Sequence, residues 1–226
     1  MASAALLLLT DGRLPSGGHA HSGGIEEAVT DGRVHDVASL ERFLLGRLWS
    51  TGRADAALAA TACVEAAARH PRWHELDGEA AARCPSPAVR RASRAMGRGL
   101  LRAASAAWPG PWAAPLRAAV ADGPMAPVVI GAVAHAAGVA AEDAALAAAH
   151  ASVTGPAAAA VRLLGLDPIA VAAALARLAG GVDDVAAGAA GAARRTGWRA
   201  LPAGSAPLVD VGAERHAARE VRLFAS

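Results

Sequence analysis

The chain contains no lysine and no tyrosine, and only 3% of its 226 residues are aromatic. The absence of lysine excludes a Walker-type phosphate loop, which needs that residue directly after its second glycine. All 22 basic residues are arginines, and 20 acidic residues leave a net charge of only +2. The longest basic clusters are the pairs Arg90-Arg91 and Arg194-Arg195, too short for the basic stripe of a nucleic-acid-binding protein. We therefore expect no nucleic-acid partner.

Cysteine and long apolar runs are scarce as well. The two cysteines, Cys63 and Cys84, cannot build a disulfide framework, which favours a reducing, cytoplasmic compartment. The first residues, M-A-S-A-A-L-L-L-L-T, lack the charged start of a signal peptide, and their apolar run ends at Asp11. No stretch escapes charge, glycine and proline for long enough to suggest a membrane span. We expect a cytoplasmic protein without a membrane partner.

Alanine and leucine make up most of the 54% hydrophobic content, and both favour helices. No window alternates polar and apolar residues with the period of a strand. We predict an all-α fold, with residues 1–226 forming a single domain of about ten helices. The predicted helices are 6–9, 25–30, one capped by Asp36, 54–70, 73–83, 87–107, 127–137, 142–164, 168–180 and 182–195.

Glycine and proline predict where these helices break. Gly155-Pro156 predicts an interruption of the helix 142–164, with a kink there. Gly180-Gly181 predicts the end of the helix that begins at Pro168. The W-P-G-P-W segment at 108–112 predicts another break. Residues 198–226 are interpreted as a mixed tail whose terminal apolar residues dock on the domain.

The most distinctive segment is 14–26, L-P-S-G-G-H-A-H-S-G-G-I-E. Glycine is used where φ must be positive or where another backbone approaches closely, so this segment is predicted to be a shaped loop. A phosphate cradle, a metal site and a recognition loop are the three possibilities. The first fails for lack of lysine and of a preceding strand. His19 and His21 are metal-ligand candidates, but two ligands make an incomplete site.

One group of arginines and one lone arginine complete the set of candidates. Arg91, Arg94, Arg98 and Arg102 share one face of the helix 87–107, which is either a solvated face or a contact for an acidic partner. Gly97 and Gly99 in the same helix predict close helix packing. Arg162 is a lone charge in a very apolar helix, so it needs a partner or an exposed tip.

Several motifs, in order along nearly the whole chain, resemble the family of the urease accessory protein UreF. The loop 14–26 resembles the family's L-P-x-G-G-aromatic-x-x-S-x-G-L-E segment, with His19 in place of the aromatic residue. S-R-A-M-G-R-G-L-L at 93–101, P-V-V-I-G at 127–131 and A-A-V-R-L-L-G-L at 159–166 resemble three further family segments. The end, R-H-A-A-R-E-V-R-L-F-A-S, resembles the family's last segment, with Ala217 in place of an acidic residue.

This resemblance implies an all-helical, non-catalytic scaffold that dimerises and binds UreD, called UreH in some systems. The pair recruits the GTPase UreG and delivers nickel to apo-urease, without a cofactor held by this chain. By the same resemblance, Arg222 holds the glycine-rich loop in shape and Arg162 faces the GTPase. The implied partner-binding residues are Pro15, Gly17, Gly18, His19, Ser22, Gly23, Glu26, Arg162, Arg222, Leu223, Phe224 and Ser226.

Two other hypotheses remain open at this point. The first is a nickel-binding metallochaperone that uses His19 and His21. The second is a helical enzyme, although no Ser-His-Asp arrangement or nucleophile elbow supports it.

Overall fold

A computed structural model describes residues 4–195 and 197–226, whose regular secondary structure is helical with no β-strand. The prediction of an all-α fold is confirmed. Two of the helices, α3 and α4, join through a π-helical turn at Leu48–Gly52. The described helices are α1 Ala4–Thr10, α2 Ile25–Thr30, α3 Val37–Arg47, α4 Arg53–Glu65, α5 Trp73–Ala82, α6 Pro87–Ala107, α7 Ala113–Ala119, α8 Ala126–Ala136, α9 Ala141–Leu164, α10 Pro168–Arg195 and α11 Pro207–Ala217.

Asp36 and Ser86 cap the first turns of α3 and α6. Asp36 accepts the amide of Ser39, and the Ser39 hydroxyl binds the Asp36 amide in return, so a capping box starts α3. The Ser86 hydroxyl accepts the amide of Val89, and α6 begins at Pro87 as predicted.

The predicted interruption of α9 at Gly155-Pro156 is wrong, because the helix runs through both residues. A proline nitrogen cannot donate to the carbonyl four residues before it, which here is Ser152. That carbonyl instead accepts the Nε–H of Arg47 at 3.0 Å. An arginine from another helix thus replaces the missing bond.

The predicted end of a helix at Gly180-Gly181 is also wrong, since α10 continues to Arg195. Two glycines in a helix cost about 1 kcal/mol each. Packing of α10 against both α4 and α9 outweighs this local preference. Conversely, α4 ends at Glu65 rather than His70, because Pro71 disfavours helix before it and the Glu65 carboxylate accepts the Arg72 amide at 2.8 Å.

Two helices lie where the sequence predicted none. The segment after W-P-G-P-W forms α7, and the tail contains α11, which starts at Pro207. The tail is therefore partly helical, and it packs on α2 and α6.

The core forms around α4 and α9, which pack against each other and both against α8 and α10. Small residues permit this close packing: a Cβ at Gly131 of α8 would lie 2.2 Å from the Ala59 carbonyl of α4. Helix α9 has the length and hydropathy of a membrane span, but 61% of its most apolar window is buried inside the protein. Burial within the fold accounts for its apolar character.

The short first helix contributes little to the core. Within α1 only Leu6 is buried, whereas Leu7 and Leu8 are exposed. Seven residues make two turns, so only one stripe of such a helix can face the core.

Candidate functional site

The glycine-rich loop lies between α1 and α2 and uses its glycines for backbone geometry. Gly17, Gly23 and Gly24 have φ values of 83°, 64° and 88°. A Cβ at Gly23 would lie 2.9 Å from the Pro156 side chain, and one at Gly24 would lie 2.8 Å from Val209. Positive φ and lack of space both require glycine at these two positions.

The last residues of the chain run alongside this loop and bond to it. The Ala225 amide donates to the Ala20 carbonyl at 2.7 Å, and the Ser22 amide donates to the Ser226 carbonyl at 2.6 Å. The His21 Nδ1 lies 2.6 Å from the Ser226 hydroxyl. The tail therefore contacts the loop itself, and of its apolar residues Phe224 is buried.

Glu26, in the first turn of α2, fixes this arrangement. Its Oε1 accepts the Leu223 amide at 2.8 Å, and its Oε2 accepts the Phe224 amide at 3.0 Å. The same Oε2 lies 2.8 Å from Nε2 of the buried His216. Burial raises the pKa of Glu26, but the hydrogen bonds from Leu223, His216 and Phe224 together hold it below its usual value. The carboxylate therefore acts as an ionised acceptor for the tail.

A second buried carboxylate, Glu27, holds α11 against α2. Its Oε1 lies 3.4 Å from Nε of Arg215, and its Oε2 lies 3.0 Å from Nη2 of Arg219. Arg215 also reaches Asp31 at 2.6 Å. Two adjacent glutamates thus connect one helix to both α11 and the segment that follows it.

Two arginines support the loop from α3 and α9. Arg47 donates from Nη1 to the Gly23 carbonyl at 3.0 Å. Arg162 donates from Nη2 to the His19 carbonyl at 3.2 Å, and its guanidinium lies 4.5 Å from the centre of the Phe224 ring. A single arginine thus contacts both the loop and the tail.

A cavity of about 600 Å³ lies beneath the loop and continues among α4, α6, α9 and α11, with Arg47 of α3 also lining it. Burial raises the pKa of its Asp55 to about 6, against the opposing charge of Arg47. Burial also raises the pKa of Asp210, and burial together with both carboxylates raises that of Cys84 to about 11. Among the groups that line the cavity, the Arg47 guanidinium thus acts on two carboxyl groups, Asp55 and Asp210, whose ionisation burial disfavours.

The structure brings most of the predicted site residues together. His19, Ser22, Gly23, Glu26, Arg162, Leu223, Phe224 and Ser226 all take part in contacts between the loop, the tail or their supports, and Pro15, Gly17 and Gly18 lie in the same loop. Arg222 is the exception. Its side chain is exposed and, within residues 4–195 and 197–226, makes no hydrogen bond or ion pair. The expected contact between Arg222 and the loop is made by its neighbours instead.

The two loop histidines bind different groups. His19 Nε2 lies against the Gly12 carbonyl, whereas His21 Nδ1 faces Ser226. Burial lowers the pKa of His21. In the described part of the chain no three histidine, cysteine or acidic side chains cluster closely enough to hold a metal ion.

Sequence reasoning did not find Arg47, His216 or the role of Gly99. A Cβ at Gly99 would lie 2.2 Å from the Ser16 carbonyl, so α6 packs directly against the loop backbone. The G-x-G pattern in α6 indicated close packing, but not the partner. A Cβ at Gly97 would lie 2.0 Å from the Pro124 carbonyl. Pro124, like Ser16, lies in a loop, so both glycines of α6 pack against loop backbone rather than against a helix.

Gly99→Ala should displace the loop. Backbone at 2.2 Å cannot move aside as a side chain would, so we expect a loss of about 1 to 3 kcal/mol in the free energy of unfolding despite alanine's better helix propensity. The matched control is Gly78→Ala in α5, where nothing lies within 4 Å and a small gain is expected. Urea unfolding of both variants measures the difference, and equal stability of the two would contradict the contact.

Comparisons with known proteins point to one family. A model of the UreF family matches residues 34–179. The chain is 46% identical to the urease accessory protein UreF of Mycobacterium sp. (strain JLS), over 98% of this chain and 97% of that protein. It is 44% identical to the UreF of Mycolicibacterium vanbaalenii, over 99% and 98% of the two chains. It is 40% identical to that of Mycobacterium tuberculosis strain H37Rv, again over 99% and 98%.

These relatives align over almost the entire chain, and so include the loop and the tail that lie outside the residues matched by the family model. The resemblance inferred from the motifs is confirmed: the chain belongs to the UreF family of urease accessory proteins.

Proposed function

We propose that this chain is a cytoplasmic scaffold of urease maturation that works as a homodimer. With UreD (UreH) it recruits the GTPase UreG and couples GTP hydrolysis to the insertion of nickel into apo-urease. It performs no catalysis itself, and nickel is the cargo of the assembly rather than a resident ligand. The relatives' name, urease accessory protein, supports the general role.

The observation that carries the proposal is the joining of the glycine-rich loop and the tail into one unit. The buried Glu26 and the exposed Arg162 hold this unit together, while Leu223 remains 68% exposed and Val221 89% exposed. An exposed apolar surface on a backbone fixed from beneath suits binding of another protein.

Affinity capture of the tagged full-length protein from its native cells tests the proposal. We expect UreD, UreG and the urease subunits to co-purify, and deletion of the gene to leave urease without nickel. Light scattering of the purified protein should give the mass of a dimer. Capture of none of these proteins, together with normal urease in the deletion strain, would refute the proposed role.

Arg162→Ala should leave the assembly with UreG intact and alter the coupling of GTP hydrolysis to nickel insertion. The lost ring contact and hydrogen bond are worth about 1 kcal/mol, enough to change the population of the held loop roughly fivefold. We expect normal co-elution of UreG, a changed rate of GTP hydrolysis and less nickel-loaded urease. Arg117→Ala on α7 is the control, because that exposed arginine lies away from the loop. A wild-type yield of nickel-loaded urease in the Arg162 variant would count against this role.

A further inference from the structure

A second, smaller cavity of about 270 Å³ lies beside the tail, between α6 and α11. Alanines form its floor: Ala88, Ala92 and Ala95 from α6 and Ala213 and Ala217 from α11. Their spacing places each set on one helix face, and methyl side chains leave depth between two packed helices. We call this cavity the alanine groove.

Two arginines border the alanine groove, and no aspartate or glutamate lines it. Arg91 comes from α6 and Arg222 from the tail, and both side chains are exposed. Within the described ranges 4–195 and 197–226, neither guanidinium makes a hydrogen bond or an ion pair.

The other polar groups near the groove are already used. The Glu214 carboxylate, on which the charge of Arg91 acts, accepts bonds from the Ser86 hydroxyl and the Ala88 amide. His216 is bound to Glu26, and His21 to Ser226. Among the described residues, the two arginines are therefore the only polar side chains of the groove lining without a hydrogen-bond partner.

Other arginines of the same helix have partners within the fold. Arg94 lies 2.9 Å from Asp77 and donates to the Gly123 carbonyl, and Arg98 donates to the Asp122 carbonyl. Two arginines of the predicted face, Arg94 and Arg98, thus bind other residues of this protein. Arg91 differs because a second unpaired arginine, Arg222, faces the same cavity.

We propose that the alanine groove binds an acidic side chain of a partner protein, whose carboxylate lies between Arg91 and Arg222. The positive guanidinium groups attract a negative carboxylate, and the fork of N–H donors on a guanidinium fits the two carboxylate oxygens. The alanine floor accepts the methylenes of a glutamate or aspartate. That the partner is the GTPase rests on the proposed function. That the groove binds a carboxylate does not depend on the proposed function.

The first experiment needs no partner. Calorimetry at low salt compares the capped peptide Ac-Glu-Glu-Ala-Glu-Glu-NH2 with its all-glutamine counterpart on the full-length protein. We expect binding of the glutamate peptide alone, weakened roughly tenfold by Arg91→Glu and by Arg222→Glu. Arg102→Glu, an equal change of charge at an exposed site further along α6, should have little effect. No binding of the glutamate peptide, or equal loss in the Arg102 variant, would overturn the proposal.

The second experiment uses purified UreG in size-exclusion chromatography with UreD present. Retention by the wild type and the Arg102 variant, with loss in the Arg91 variant, supports the groove as the recruiting contact. Retention by all three would overturn it. Failure of the wild type to retain UreG would instead count against the proposed function, and the peptide titration would still decide the chemistry of the groove. Circular dichroism of each variant verifies that the helices are intact.

Discussion

Glu26→Gln should detach the tail from the glycine-rich loop and lower the free energy of unfolding by about 3 kcal/mol. The buried carboxylate accepts bonds from the Leu223 amide, the Phe224 amide and His216. A carboxamide offers one acceptor oxygen, and its own N–H groups would then face the amides of the tail. Donors left unpaired in a buried position are costly, so the tail should leave the loop.

Urea unfolding and limited trypsin digestion measure the two consequences. We expect faster cleavage after Arg219 and Arg222 in the variant, since the tail would be free. Glu41→Gln is the matched control, because Glu41 bonds Arg177 at the surface and such pairs contribute about 0 to 1 kcal/mol. Unchanged cleavage and stability in the Glu26 variant would show that the carboxylate does not hold the tail. Under the proposed function the same variant should also fail to recruit UreG.

In the wild type the free energy of unfolding should fall as the pH rises, and Asp55→Asn should abolish this fall. Burial raises the pKa of Asp55 from 3.8 to about 6. Between these values the unfolded chain is ionised while the folded protein still holds the proton, so the free energy of unfolding falls with rising pH. Above the folded pKa the loss is complete, and an asparagine does not incur it.

We expect the Asp55→Asn variant to gain about 1 to 2 kcal/mol relative to the wild type between about pH 4.5 and pH 7, after allowance for water in the cavity. The change with pH is the informative quantity, because a constant difference would also include the altered contact with Arg47. Asp184→Asn on α10 is the control, since that carboxylate is exposed, and it should follow the wild type. Parallel stability curves for the wild type and the Asp55→Asn variant would contradict the raised pKa.

The sequence predicted the fold class well because its signals are local. Capping residues and apolar periodicity act within one or two turns of helix, and Asp36 and Ser86 start helices where expected. The errors occurred where a distant contact outweighed a local preference. Pro156 does not interrupt α9, because Arg47, more than a hundred positions away, bonds the carbonyl that the proline leaves free.

In the candidate site, too, local features were predicted from the sequence and distant contacts were not. The glycines of the loop and Glu26 were predicted to belong to it, and the loop geometry explains why they are needed. The partners of those residues were not predicted. Arg222 was expected to hold the loop, yet the backbone of its neighbours does so, because tail amides bond a buried carboxylate more directly than a long side chain can.

The sequence by itself determined the fold class, most of the helices, the start of α3 and α6, the shaped loop at 14–26 and the membership of the family. Propensity, capping and glycine geometry depend on neighbours in the chain, so they can be inferred without coordinates. The tertiary structure decided what the loop touches: the tail, α6 at Gly99 and the two supporting arginines. It also left Arg91 and Arg222 together at the alanine groove. Contacts of this kind join residues far apart in the chain, and only the packing of the helices brings them together.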